Sequence, residues 1–236
     1  MLDKSLCIGI PLMDYILAQS FPSIVNLIVR GSEMFGDVSM CAPRRLCPYA
    51  NARQWILEQA IKQGSDYLLF LDSDQTFPLN TVEVLCKTME IKECQLVSGY
   101  SWRRGYPYTS VWVKDKSQIA CDGGVTELDA SGLFCALIDV NWVKDNLDSP
   151  FFTSDLPEDK GSGEDAIFCF KIRRAGGSVW GNGHIRCGHL SDPIVIDDRS
   201  ITFLRKRHHL DYPDEEVDKS LNSNGRLSVL DPSPSS

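Results

Sequence analysis

Five residues that avoid water, Tyr67-Leu68-Leu69-Phe70-Leu71, run directly into Asp72-Ser73-Asp74, and the chain then turns through Gln75, Thr76, Phe77 and Pro78. A short continuous apolar run bounded by turn residues reads as a strand buried on both faces, the kind that fills an α/β sheet. Two carboxylates one residue apart at its mouth repel each other unless a cation lies between them. The pattern therefore predicts a divalent cation at the carboxyl edge of a sheet, where open α/β folds bind ligands. The plainer alternative is that both acids cap the turn and the helix after it.

The flanking sequence supports an α/β reading. Leu6 to Ile10 is a short apolar run stopped by Pro11, which suits a first strand. Phe21 to Val29 is apolar enough for a helix or a strand, and its periodicity does not choose. Residues 32–48 are rich in turn formers and read as a loop. From Ala50 the pattern is helical, with Ala52, Trp55, Ile56 and Ala60 sharing a face and Gly64 placed to stop it.

Beyond the acidic pair, Pro78 sits near the start of a second helix carrying Leu79, Val82, Leu85, Cys86 and Met89. Cys94 to Tyr100 reads as a strand, residues 101–130 as short strands and loops, and Phe134 to Val140 as a further strand. Asn141 to Asn146 reads as a short helix and residues 147–163 as loop. Asp165 to Ala175 is a helix ended by Gly176-Gly177, followed by extended chain from Val179 to His189. Alternating strands and helices predict a mixed, mainly parallel central sheet flanked by helices. Residues 1–210 are expected to form one domain. Residues 211–236, acidic and then Ser/Pro-rich, lack the apolar content to order themselves.

A chain of 236 residues is long enough to bury about 70–75% of its unfolded surface. With 24 basic against 32 acidic residues, the formal net charge of −8 argues against a global grip on nucleic acid or anionic membrane. The nine cysteines include no C-x-x-C pair, and several lie inside apolar stretches, so they read as buried free thiols of a reducing compartment. The first eleven residues lack a signal-peptide pattern, and no run approaches the ~18 apolar residues of a membrane span. A cytoplasmic location is the expectation.

Two further constellations carry chemistry. Gly161-Ser162-Gly163-Glu164-Asp165 opens a helix. Ser162 with Asp165 fits a capping box, and a carboxylate held there also suits a general base towards a hydroxyl. His189, behind Gly188 at the end of an extended segment, is placed to complete an Asp/Asp/His site whose mixed oxygen and imidazole donors suit Mn2+, with Mg2+ the less comfortable substitute. Trp102, Arg103, Arg104, Tyr106 and Tyr108 form either an aromatic–basic cluster for sugars, bases and phosphate or the exposed face of a hairpin. Arg205-Lys206-Arg207-His208-His209 reads as a solvated basic turn.

The order of these pieces resembles the GT-A glycosyltransferases, and most nearly the family 2-like enzymes of bacteria and phages. The resemblance rests on Ile8-Gly9-Ile10-Pro11, on Ala52-Arg53 opening a helix, and on Phe70 to Asp74. Gly132 before an apolar strand, Gly163-Glu164-Asp165 and Cys187-Gly188-His189-Leu190 complete it, and it spans residues 5–190. It implies a Rossmann-like GT-A domain that uses a nucleotide-diphosphate sugar as donor. Asp72 and Asp74 would hold the cation on the diphosphate, Ser73 would belong to the same donor-binding turn, and His189 would be a further ligand. Asp165 would deprotonate the acceptor hydroxyl, with Glu164 orienting acceptor or loop. Pro11 and Arg53 would lie near the nucleoside and Gly132 near the donor sugar. The resemblance implies in-line displacement with inversion at the sugar. The acceptor is open: a glycan, a protein or a modified nucleobase in DNA. Gln54 departs from the Asn often found after the helix-opening Arg.

Two other readings remain at this level. Asp72-Ser73-Asp74-Gln75-Thr76 also fits the nucleophile motif of haloacid-dehalogenase-like phosphatases, with Asp72 attacking phosphate and Ser191-Asp192 and Asp197 offering late acids. That motif normally ends the first strand, whereas a strand–helix unit precedes it here. A non-catalytic nucleotide-sugar-binding module would need the same metal pair.

Overall fold

In the computed structural model, the structure describes residues 2–12, 15–104, 111–115, 117–121, 123–153, 162–191 and 194–196. The basic run at 205–209, the tail, Asp192, Asp197, Tyr106 and Tyr108 lie outside them. Five helices are described: α1 (Phe21–Met34), α2 (Tyr49–Gln63), α3 (Thr81–Lys92), α4 (Val140–Asn146) and α5 (Glu164–Arg174). The strands are β1 (Leu2–Gly9), β2 (Phe35–Cys41), β3 (Tyr67–Leu71), β4 (Gln75–Thr76), β5 (Leu96–Tyr100), β6 (Val113–Lys114), β7 (Ser117–Gln118), β8 (Val125–Leu128), β9 (Cys135–Asp139), β10 (Val179–Arg186), β11 (Gly188–Ser191) and β12 (Ile194–Ile196).

The main sheet has the order β2-β1-β3-β9-β5-β10-β8. β2, β1, β3, β5 and β10 run one way, and β9 and β8 run against them. Because β9 is reversed between β3 and β5, its first residues meet the last residues of its neighbours, as in the pairing of Leu71 with Cys135. β4, β11 and β12 form a small separate sheet.

Side-chain alternation along the central strands divides the core into two layers. Leu68, Phe70, Ala136 and Ile138 face Ile56, Leu57, Val143, Phe168 and Ile172 from α2, α4 and α5. Leu69, Leu71, Cys135 and Leu137 face Ile24, Leu27, Val82, Leu85 and Met89 from α1 and α3. Both faces of β3 are therefore covered, which explains why its sequence is continuously apolar rather than alternating.

Local chemistry accounts for most element ends. Pro22 at the start of α1 and buried Ile24, Leu27 and Gly31 at helical spacing settle residues 21–34 as helix. Gly64 ends α2 in the left-handed region at φ 73°, where a side chain is strained. Three expectations change. The loop expected over 32–48 contains β2, an edge strand of which only Phe35 and Cys41 are buried, so it carries no apolar alternation. Trp55 is 39% exposed, and the buried face of α2 instead includes Arg53. Leu79 precedes α3 and is 60% exposed. All nine cysteines are free, and six of them are buried. No helix among the described residues is long and apolar enough to cross a membrane.

Leu69→Ala is expected to cost about 3 kcal/mol in urea unfolding, because it empties a fully buried site. Leu79→Ala is expected to stay within about 0.5 kcal/mol.

Candidate functional site

The carboxyl ends of β1, β3, β5 and β10 and the start of β9 lie at one edge of the main sheet. α2 and α5 present their first turns there, so residues far apart in sequence come together. The turn after β3 is fixed by main-chain bonds: Asp72 N donates to Phe134 O at 2.9 Å, and Leu190 N donates to Asp74 O at 2.8 Å. Antiparallel pairing of β4 with β11 sets His189 opposite Gln75. Below them, Ser101 Oγ donates to the buried amide oxygen of Gln75 at 3.1 Å.

At the centre of this edge is Arg53, with its side chain 4% exposed. Its Nη2 donates to Asp72 Oδ1 at 3.2 Å and lies 3.5 Å from Oδ2, and Nη1 donates to Leu133 O at 3.4 Å. Nε lies 2.9 Å from Asp165 Oδ1 and 3.7 Å from Glu164 Oε1. The closer of these two is an ion pair without hydrogen-bond alignment, since neither Nε nor Oδ1 makes a hydrogen bond. The guanidinium also lies 5.2 Å from the centre of the Phe70 ring. Burial alone would favour loss of the Arg53 proton, but Asp165, Asp72 and Glu164 hold it on.

The carboxylates respond unequally. Burial pushes Asp165 up to about 6, with Arg53 pulling it down and Glu164 and Asp72 pushing it further up. Its Oδ2 accepts from Leu133 N at 3.0 Å. Burial likewise raises Asp72, opposed by Arg53. For Asp74, burial works upward but is outweighed by His189 and Arg104, and the group ends below the usual carboxylate range. Arg104 Nη2 lies 3.1 Å from Asp74 Oδ2, and His189 Nε2 lies 3.5 Å from the same oxygen.

The histidine geometry is informative. Nδ1 of His189 is 2.9 Å from the carbonyl oxygen of Trp102. A carbonyl only accepts, so Nδ1 carries the hydrogen, and in a neutral ring Nε2 presents a bare lone pair to Asp74. Two lone pairs 3.5 Å apart call for a proton or a cation. An imidazole oriented by a backbone carbonyl is also the usual arrangement behind a metal-ligating nitrogen. The donor set of carboxylate oxygen and imidazole therefore fits a divalent ion such as Mn2+. Among the described residues no three such side chains are already gathered as a metal-binding group. Asp72 is turned to Arg53 while Asp74 is turned to Arg104 and His189.

The structure thus brings Asp72, Asp74, His189, Arg53, Glu164 and Asp165 to one place. Gly132 joins them: a Cβ there would lie 3.7 Å from Asp165 Oδ2 and 3.2 Å from the Phe134 ring. Pro11 is buried one residue past Ile10 at the same edge, and Ser73 gives its carbonyl to Leu17 N at 3.2 Å. Arg53, expected beside a nucleoside, faces inward. The expected Ser162–Asp165 capping box does not form: Gly163 is the cap of α5, with no side-chain bond, because Asp165 is drawn across to Leu133 N and Arg53. Trp102 is 7% exposed and offers its carbonyl rather than a ring face for stacking.

Two participants escaped the sequence reading. Tyr49, half-exposed at the start of α2, feels burial first and then the charges of Asp72 and Asp74, which hold its phenol above the usual range. The Leu133 amide could not be found from side-chain types at all. Arg104 was legible as a basic residue, but its pairing with Asp74 was not.

No known protein family and no characterised protein sequence matches the chain. Its shape is similar to solved structures. The crystal structure of A197 from STIV superposes with a TM-score of 0.57 at 19% identity, over 82% of this chain and 93% of that one. The structure of GalNAc-T7 with UDP, GalNAc and Mn2+ superposes with a TM-score of 0.50 at 12% identity, over 80% of this chain and 44% of that one. The chain has the GT-A, Rossmann-like fold.

Replacing the buried guanidinium tests the charge cluster. Arg53→Met is expected to cost about 3–5 kcal/mol at pH 7.5, because it leaves partly buried carboxylates uncompensated. Arg53 pulls the Asp165 carboxyl down, so the folded variant keeps the Asp165 proton to higher pH than the native protein, where the group is pushed up to about 6. The deficit is therefore expected to shrink as pH falls from 7.5 towards 5, read by urea unfolding across that range.

Proposed function

We propose that the protein is a metal-dependent glycosyltransferase that moves a sugar from a nucleotide-diphosphate sugar to an acceptor hydroxyl, with inversion. The observation that carries this reading is the placement of His189, whose Nδ1 is fixed 2.9 Å from the Trp102 carbonyl oxygen and whose Nε2 lies 3.5 Å from Asp74 Oδ2 beside Asp72, at the strand edge where the fold takes ligands. The resemblance of the motifs supports it, as does the presence of UDP, GalNAc and Mn2+ in the similar structure of GalNAc-T7.

In this reading Asp74, His189 and Asp72 hold a divalent ion. When bound, that ion offsets the negative charge that builds on the departing diphosphate. Asp165 takes the proton of the acceptor hydroxyl, whose oxygen attacks the anomeric carbon as the bond to the diphosphate breaks. A carboxyl raised to about 6 suits that role: it is ionised at neutral pH yet more basic than an exposed aspartate. Leu133 N and Arg53 hold it in place, and Glu164 beside it orients the acceptor. The missing side chain at Gly132 keeps the approach to Asp165 open for the sugar.

The phosphatase alternative gives no role to Glu164, Asp165 and His189, which lie at the same edge as Asp72. It is kept only as an outcome of the test.

Calorimetry against UDP, GDP and their sugars, with and without Mn2+, is expected to give metal-dependent binding that Asp74→Ala abolishes. Asp165→Asn is expected to keep donor binding and lose turnover by about 10²–10⁴-fold. Turnover of the native enzyme should fall on the acid side with an apparent midpoint of about 6, as Asp165 gains its proton. Absence of nucleotide binding under all conditions overturns the reading. Phosphate release from a phosphomonoester, lost in Asp72→Asn, selects the phosphatase.

A further inference from the structure

Arg104 stands out among the cations of this edge. Arg53 is buried and shared among three carboxylates, whereas the side chain of Arg104 is 53% exposed and touches Asp74 Oδ2 through one nitrogen. The residues before it are tied to the same edge: Ser101 Oγ donates to the amide oxygen of Gln75, and the Trp102 carbonyl oxygen lies 2.9 Å from His189 Nδ1. Arg104 follows two residues later, with its guanidinium at the surface.

The oxygen it holds is the one His189 faces. A carboxylate oxygen has two lone-pair directions. At Asp74 Oδ2 one nitrogen neighbour is Arg104 and the other is His189. A divalent ion held by Asp74 and His189 would compete with Arg104 for the charge of this carboxylate and would repel a guanidinium within a few ångströms. Arg104 would then be released from Asp74. Its guanidinium is a planar fork matched to phosphate oxygens.

We propose that Arg104 is a positioning residue with two stations: it neutralises Asp74 in the free protein, and it passes to the diphosphate of the donor when the cation takes Asp74. The inference rests on the glycosyltransferase reading and adds to it a contact that orders binding. Metal and nucleotide are favoured together, because the diphosphate gives the displaced cation a partner. Metal alone binds against competition.

Calorimetry of the full chain with MnCl2 alone, and then with UDP or GDP in saturating Mn2+, separates the two stations. Arg104→Ala is expected to bind Mn2+ alone about 3–10-fold more tightly, since a competing positive charge is gone. The same variant is expected to bind the nucleoside diphosphate about 10–100-fold more weakly, the range of a lost charge-assisted hydrogen bond. Arg104→Lys, which keeps the charge without the fork, should leave Mn2+ affinity near native and give an intermediate loss for the diphosphate. A simple surface ion pair would move neither affinity, and that result overturns the proposal. So does weaker Mn2+ binding in Arg104→Ala, which would make Arg104 a support of the metal site rather than a competitor. If the native protein binds neither ligand, the glycosyltransferase reading itself fails, and Arg104 loses its second station with it.

Discussion

A positive charge sealed inside a protein is tolerated only where opposite charges surround it, and this constraint organises the molecule's working edge. Arg53 comes from α2, yet its partners are the end of β3, the residues leading into β9 and the first turn of α5. Each partner is held in place by the need to keep that guanidinium compensated. Phe70 beneath it closes off water and strengthens every pairing. The geometry of the candidate site is thus a by-product of neutralising one buried ion.

The acids of the edge divide into two groups by how they are compensated. Asp72 and Asp165 answer to a buried partner that cannot leave without large loss. Asp74 answers to Arg104 and His189, which are nearer solvent. The four carboxylates at 72, 74, 164 and 165 face two guanidinium groups, so with a neutral His189 the edge carries a formal excess of two negative charges. That excess is what a divalent ion would match, although the chain as a whole is also acidic.

The legible parts of the fold were those written in local periodicity. β3 was readable because it is apolar on both faces, α2 because Gly64 marks its end, and α5 because Gly176 follows it. β2 was missed because an exposed edge strand needs no apolar pattern. Arg53 within a buried helix face was missed because residue type alone does not reveal a charge paired by partners 19 and 112 positions away. Within the site, the carboxylates and His189 could be named from sequence, since their chemistry lies in their side chains. Leu133, whose contribution is an amide hydrogen, had no such marker, and neither did the carbonyl of Trp102.

The acidic turn hangs on main-chain bonds, from Asp72 to Phe134 and from Leu190 to Asp74, while Cys187 binds Tyr100 in the same manner. Bonds of this kind are indifferent to which side chains the residues carry. Substitutions can therefore accumulate over much of the scaffold while the spatial arrangement of a handful of polar groups is preserved. Recognisable ancestry in the letters can fade long before the architecture does, and shape then remains the more durable record of descent.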